Sequence, residues 1–396
     1  SDMIQRRIRI LFVADTHLGF DFPFRPRVQR RRRGHDFFAN FKRALQPALL
    51  DEVDVVVHGG DLFYRSRVPE ALVDMAFAPL IQVADRGIPV YLVPGNHERS
   101  RIPLHLWSAH PNLHIFTETK TFQWEIDGIR LSLSGFPFAR KIRGKFLDLV
   151  DNTSYKDFEC DIRILCIHQT VEGAQVGPSN YTFRRGPDII RGTDIPGNFS
   201  MVLSGHIHRA QMLSSDLKGR TLAAPVIYPG SVERTSFAER DEEKQYVVIE
   251  AGQDGTSRGL LEKVTFISQP ARPMVTIAVE VEGKGIKEVN SFLEQQLSEI
   301  DPDYIVRIKP LGHMAEEIHW IAGSLPDQDK FQCLTRSRHR QPLQAAMVEI
   351  GDEQCRVSFE HPQRSATPGQ SIVFYQDGEC LGGGIIHSTG KLNENG

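Results

Sequence analysis

The sequence predicts an α/β protein of stacked layers, followed by a small appended α/β unit and a C-terminal β-barrel. From residue 8 to about 250, short apolar runs bounded by glycine and polar clusters alternate with segments of helical spacing, as strands and helices in layers require. Near Pro273 the rhythm restarts as one strand, one helix and one strand. After Pro326 the texture changes to short alternating strands broken by turns such as Gln-Asp-Gly and Thr-Pro-Gly, which suit a small barrel.

In chain order, the expected strands are Arg7–Ala14, Val53–Val57, Val90–Val93, Ile162–Ile167 and Met201–Leu203. Helices are expected at Phe37–Leu50 and Glu70–Ala84, the second opened by Pro69 in its first turn. Gln253–Arg258 is loop-like and suggests a domain end near residue 260. The appended unit reads as strand Val275–Val281, helix Lys287–Glu299 and strand Tyr304–Ile308. Expected domains are therefore 3–260, 271–312 and 316–390, and no internal repeat is found.

The 396 residues, 40% hydrophobic and 24% charged, are enough for two or three domains with real cores. No apolar stretch reaches the roughly 18 residues that span a bilayer, and no leader pattern opens the sequence, so a soluble cytoplasmic protein without a membrane partner is expected. Ser1 and Asp2, which precede Met3, are left out of the reading. Five scattered cysteines without Cys-x-x-Cys spacing suggest reduced thiols, with neither a disulfide framework nor a zinc knuckle. The net charge of −3 hides a basic start, since residues 1–50 hold eleven Lys or Arg against four Asp or Glu. Contact with a polyanion should begin there.

Each of the five strand runs ends in potential metal ligands: Asp15 and His17, Asp61, Asn96 beside His97, His168, and His206 with His208. One histidine after an apolar run is ordinarily a capped or solvated residue, but five successive strand ends form a pattern. Imidazole, carboxylate and amide oxygen without thiolate suit Mn²⁺, Fe²⁺ or Zn²⁺. If the segments are extended, residues two apart project together, which would aim both Asp15 with His17 and His206 with His208 at one centre. Two divalent ions sharing a carboxylate about 3.5–4 Å apart can clamp a phosphate and activate water for in-line attack. Hydrolysis of a phosphoester is the chemistry implied.

Asp15-Thr-His-Leu-Gly19, Gly59-Gly-Asp-Leu-Phe63, Gly95-Asn-His-Glu98, His168 and Gly205-His-Ile-His208 resemble the successive motifs of calcineurin-like metallophosphoesterases. The resemblance implies a four-layer α/β/β/α core. It also implies that Asp15, His17, Asp61 and His208 hold one metal and Asp61, Asn96, His168 and His206 the other, with Asp61 as the bridge. His97 would be catalytic, stabilising the phosphorane or protonating the leaving oxygen. His58, His35 and Glu98 receive no ligand role, and His58 is expected to pack or orient its neighbours.

Phosphoprotein phosphatases typically continue Gly-Asp with Arg-Gly, where this chain has Asp61-Leu-Phe-Tyr-Arg65. The first motif, an arginine-bearing loop and the segment Asp36-Phe-Phe-Ala-Asn-Phe41 are instead similar to DNA-repair exonucleases that partner an SMC-like ATPase. The unit at residues 273–310 is similar to the small capping domain of those nucleases. Six arginines, Arg25, Arg27, Arg30, Arg31, Arg32 and Arg33, could grip a nucleic-acid backbone beside the metals, or form a solvated charged loop.

The tail resembles the C-terminal β-barrel of tRNA 2-thiouridylases at Ile318–Gly323, Arg336–Gln341 and Pro362–Ile385. No Ser-Gly-Gly-x-Asp-Ser pyrophosphatase loop occurs, and the cysteines do not fit that family's catalytic pattern, so thiolation is not expected. Gly382 to Gly384 read as barrel-turn glycines. Arg336, Arg338 and Arg340 would share one face of a strand and could contact tRNA; otherwise the barrel serves folding or homodimer contacts. The leading expectation is a two-metal nuclease acting on DNA or RNA. The alternatives are a small-molecule phosphodiesterase or phosphatase, and a nucleic-acid adaptor with a vestigial site.

Overall fold

The computed structural model describes residues 6–22, 32–97, 110–280, 284–311, 319–320, 330–337, 341–350, 355–360 and 369–386. The chain divides into two compact units, Ser1–Met274 and Val275–Gly396.

The strands of the two main sheets of the first unit are β1 (Ile8–Val13), β2 (Val55–His58), β3 (Val90–Leu92), β4 (Leu113–Ile115), β5 (Lys120–Ile126), β6 (Ile129–Gly135), β7 (Ile162–His168), β8 (Met201–Gly205), β9 (Gln211–Ser215), β10 (Thr221–Tyr228), β11 (Lys244–Gly252) and β12 (Leu260–Gln269). They form two mixed six-stranded sheets, ordered β12-β11-β1-β2-β3-β4 and β9-β10-β8-β7-β6-β5. The central strands are parallel: β1 to β2 to β3 to β4 in one sheet, and β6 to β7 to β8 to β10 in the other. Both faces of these strands are covered, which explains why β1, β2, β3, β7 and β8 read as apolar runs.

The alternation of side chains sorts the core into layers. Ile10, Phe12, Val55 and Val57 pack with Leu131, Leu133, Ile164 and Leu203 between the sheets. Leu11, Val13 and Val56 face the other way, onto Phe37, Phe41 and Leu45 of helix α1 (Gly34–Leu49) and Leu72, Ala76 and Leu80 of helix α2 (Glu70–Asp85). On the far side, Leu165, Ile167 and Val202 pack with Phe146 and Val150 of the short helix α3 (Phe146–Asp151). The result is the four-layer α/β/β/α core, with few helices. Among the described residues the cysteines are free, Cys160 and Cys166 being buried.

Three expectations need correction. The domain end near residue 260 falls at the start of β12, which pairs antiparallel with β11 as far as Lys244↔Gln269. Gln253–Arg258 belongs to a hairpin connection rather than a linker, and β12 escapes notice because its exposed edge alternates apolar with Lys, Glu, Ser and Gln residues. Pro69 stands just before α2 rather than in its first turn, with its carbonyl accepting from the amides of Leu72 and Val73 at 3.0 and 3.2 Å.

The second unit begins within β13 (Met274–Glu280), which pairs with β14 (Ile305–Leu311), and helix α4 (Ile286–Ser298) lies between them in sequence. The Gly285 amide donates to Glu288 Oε2 at 3.0 Å and seals the start of α4. A six-stranded, wholly antiparallel β-barrel-like sheet follows: β15 (His319–Trp320), β16 (Lys330–Arg336), β17 (Gln344–Ile350), β18 (Cys355–Phe359), β19 (Ser371–Gln376) and β20 (Glu379–Ile385). Phe331, Cys333, Val348, Ile372 and Phe374 form its core. Asp377 and Gly378, both at positive φ (50° and 83°), make the two-residue hairpin that the Gln-Asp-Gly signal announces. Gly382, Gly383 and Gly384 lie inside β20 rather than in a turn. A Cβ on Gly383 would stand 2.6 Å from the Ile372 carbonyl, so close strand approach is what excludes a side chain there.

Candidate metal centre

Parallel strands end at a common edge, and there the candidate ligands gather. Asp15 and His17 follow β1, Asp61 follows β2 and Asn96 follows β3. From the other sheet, His168 closes β7 and His206 and His208 follow β8. The turns after β1 and β2 run side by side: the amides of Asp15, His17 and Leu18 donate to the carbonyls of Gly60, Asp61 and Leu62 at 2.9, 3.1 and 2.8 Å. Buried His58 stitches the same two turns. Thr16 donates its hydroxyl to the Leu62 carbonyl, so His58 Nε2 donates to Thr16 Oγ1 (3.1 Å), while His58 Nδ1 accepts from the Gly60 amide (3.1 Å). Burial holds His58 neutral, its pKa lowered to about 3, and an orienting role follows.

The ligands do not converge through extended backbone. Asp15, His17, Asp61 and His206 all have positive φ, at 50°, 42°, 52° and 87°. The parallel-projection argument for Asp15 with His17 and for His206 with His208 is therefore replaced by tight left-handed turns that swing each side chain over the strand end. Such conformations cost about 1–3 kcal/mol each and cluster at functional sites.

His17 Nε2 lies 3.0 Å from His208 Nε2 and 3.9 Å from Asp15 Oδ1. Asp61 Oδ2 lies 3.4 Å from His168 Nε2 and 3.7 Å from His97 Nε2. Asn96 Oδ1 stands 3.1 Å from His168 Nε2 and 3.2 Å from His206 Nδ1. Three groups thus have donor atoms within 4.8 Å of one another: Asp15, His17 and His208; Asp61, His168 and His206; and His17, Asp61 and His97. The first two fall within the two halves of the ligand set that the resemblance implies. The third adds His97, whose ring meets that of His17 edge-on at 5.5 Å.

The donor chemistry fits divalent ions. His168 Nδ1 donates to the Gly59 carbonyl (2.7 Å) and His208 Nδ1 to Glu239 Oε1 (3.0 Å), so in both rings Nε2 is the nitrogen that faces the centre and would ligate an ion. Burial raises the Asp15 carboxyl to about 6. Burial also opposes ionisation of Asp61, but the neighbouring His168 outweighs it and holds that carboxyl below its usual range. His168 is raised to about 9, because Asp61 outweighs its burial. Burial lowers His17 and His206 to about 3. Such opposed shifts within one cleft mark a functional site. Asp15 and His168 are sealed from solvent, whereas Asn96 is exposed and His97 keeps 33% of its side chain exposed, so the centre opens on the Asn96–His97 side. Half-buried Phe138 flanks that opening, 5.6 Å from the His206 ring.

Gly95 is fixed by crowding: a Cβ there would stand 2.2 Å from Asp61 Oδ1 and 2.5 Å from the Asp61 amide. Gly95→Ala is expected to displace Asp61 and cost about 1–3 kcal/mol of stability, and to lower Mn²⁺ affinity in a calorimetric titration. Unchanged affinity would count against Asp61 as a ligand.

Of the arginine run, Arg25, Arg27, Arg30 and Arg31 lie outside the described residues. Arg32 pairs with Asp21 Oδ1 at 2.5 Å. Arg33 donates to the Arg234 carbonyl and lies 5.2 Å over the Phe20 ring, so it is engaged within the fold rather than displayed. In the second unit, β16 ends at Arg336, and Arg338 and Arg340 lie outside the described residues, so no common strand face is shown for the three. Glu239 and Lys244 join the site unannounced by the sequence: one is a carboxylate in a short turn and the other a lysine at the start of β11.

This donor set, at the shared edge of two stacked sheets, defines a metal-dependent phosphoesterase. The chain belongs to the calcineurin-like phosphoesterase family, whose profile matches residues 8–210, just over half of the chain. Residues 312–386 match the aminomethyltransferase beta-barrel domain. Curated relatives include the tRNA-specific 2-thiouridylase MnmA of Hahella chejuensis, 44% identical over 85 residues, and that of Francisella tularensis, 51% identical over 73. The matches take in 22% and 18% of this chain and only 23% and 20% of those proteins. Similar solved structures include a dimetal phosphatase from Danio rerio (11% identity, 66% of this chain and 98% of that one, TM-score 0.39). Another is the NAD nucleotidase of Haemophilus influenzae (12% identity, 77% and 64%, TM-score 0.37). No helix among the described residues is long and apolar enough to cross a membrane.

Proposed function

We propose that the protein is a two-metal phosphodiesterase acting on nucleic acid, a nuclease with DNA as its first substrate and RNA as its second. The observation that carries this is where the arginine run is rooted. Asp21 takes the Arg32 guanidinium, the Arg33 amide (3.0 Å) and, through its carbonyl, the Gly34 amide (3.2 Å). The C-terminal end of the run is thus held at Asp21, four residues after His17. Phosphates gripped by arginines of this run would be held by a segment that starts a few residues beyond the ligand His17.

Asp15, His17, Asp61 and His208 would hold one ion, and Asp61, Asn96, His168 and His206 the other, with Mn²⁺ proposed and Fe²⁺ or Zn²⁺ the alternatives that this nitrogen and oxygen set also suits. Bound, the ions supply charge to the phosphate and acidify water. His97 stands at the solvent-facing rim with its amide anchored on Asp61 Oδ1 (3.1 Å), free to meet a phosphate oxygen or protonate the leaving group. By resemblance to the repair exonucleases, an SMC-like ATPase is the proposed partner; the cytoplasm is the proposed compartment on the sequence reading.

The test is Mn²⁺-dependent cleavage of single- and double-stranded DNA, tRNA and bis-p-nitrophenyl phosphate, side by side. Charge reversal of Arg25, Arg27, Arg30 and Arg31 is expected to suppress polymer cleavage, lowering the salt dependence of binding by roughly one unit per lost phosphate contact. Hydrolysis of the small diester should be unchanged. Cleavage of the small diester with no polymer cut would show a small-molecule phosphodiesterase instead.

A further inference from the structure

We propose that Glu239, fixed by buried Lys244, is the positioning residue for His208 and sets the strength of one half of the metal centre. This rests on reading the centre as a metal site. Glu239 closes the turn Phe237–Glu239, 31 residues beyond the histidine. Its Oε1 accepts the His208 Nδ1–H at 3.0 Å and the Thr235 hydroxyl; its Oε2 accepts Lys244 Nζ at 2.7 Å and the Thr235 amide at 3.3 Å. Lys244 is the first residue of β11, and its side chain is wholly buried. Lys244 Nζ also donates to the His208 carbonyl at 3.1 Å and reaches Glu242 Oε2 at 3.3 Å.

One ammonium therefore holds both the backbone of His208 and the carboxylate that holds its ring. A buried ion pair contributes little to stability by itself, because desolvation offsets the attraction. What this one does is fix geometry. With Nδ1–H committed to Glu239, the His208 lone pair sits on Nε2, which faces His17 Nε2 at 3.0 Å. His168 has the corresponding support from a neutral carbonyl, Gly59 O. A carboxylate makes its imidazole the more basic ligand of the two. The half of the centre built on Asp15, His17 and His208 then depends on Glu239, and the half built on Asn96, His168 and His206 does not.

The test is a calorimetric Mn²⁺ titration of metal-free full-length protein, with ¹⁵N-imidazole NMR of the metal-free form. Glu239→Ala is expected to weaken one of two binding steps by about 10–100-fold and leave the other, and to release His208 from its Nδ1–H tautomer. Glu239→Gln, which keeps an acceptor oxygen without the charge, should fall between and covers the case in which the alanine variant fails to fold. Glu242→Gln, which touches Lys244 but not His208, should bind as the parent does. Parent-like binding and an unchanged tautomer in both Glu239 variants, or equal weakening of both steps in all three variants, would overturn the proposal. A parent protein that does not take up two ions would instead overturn the metal reading itself.

Discussion

Asp61→Asn is expected to weaken both metal positions together and lower phosphodiester hydrolysis by at least about 10³-fold. Asp61 belongs to two of the three donor groups, and its carboxylate reaches His168 and His97 through Oδ2 while anchoring the His97 amide through Oδ1. Its side chain is 3% exposed, so the charge it supplies is poorly screened by water. Asparagine keeps the size and tolerates the φ of 52°, which confines the change to loss of the shared negative charge. Metal analysis of the variant, alongside turnover of bis-p-nitrophenyl phosphate, reads the result. One ion retained at parental affinity would show that Asp61 serves a single position.

His97→Ala should separate binding from chemistry. The expected outcome is parental metal content and nucleic-acid affinity, with the rate reduced by about 10²–10⁴-fold, because the imidazole would act only on the transition state. The geometry makes this a demanding test, since His97 also sits within 4.8 Å of donor atoms of His17 and Asp61. If metal content fell in parallel with activity, His97 would be a ligand and its catalytic assignment would be wrong.

The parts of the fold and site that the sequence makes legible are those with local periodicity. Buried parallel strands are continuous apolar runs, and the candidate ligands stand directly after them, so Asp15, Asp61 and His168 can be located without coordinates. The device that aims them is less visible. Aspartate and histidine both tolerate left-handed backbone, but nothing in the sequence marks Asp15, His17, Asp61 and His206 as the residues that adopt it. The hairpin between β5 and β6 was announced by Asp127-Gly128, both at positive φ, a two-residue turn signal that the list of five strands passed over. Glu239 and Lys244 were illegible for another reason: their importance arises from a non-local approach to His208, and no spacing rule links residues 31 or more positions apart.

Equilibrium dialysis of the metal-free protein against Mn²⁺, with the bound metal counted at saturation, decides whether the centre is dinuclear and whether it hydrolyses phosphodiesters. Two ions per chain are expected, with hydrolysis of bis-p-nitrophenyl phosphate appearing as they bind; a plateau at one ion, or at none, would rule the dinuclear centre out.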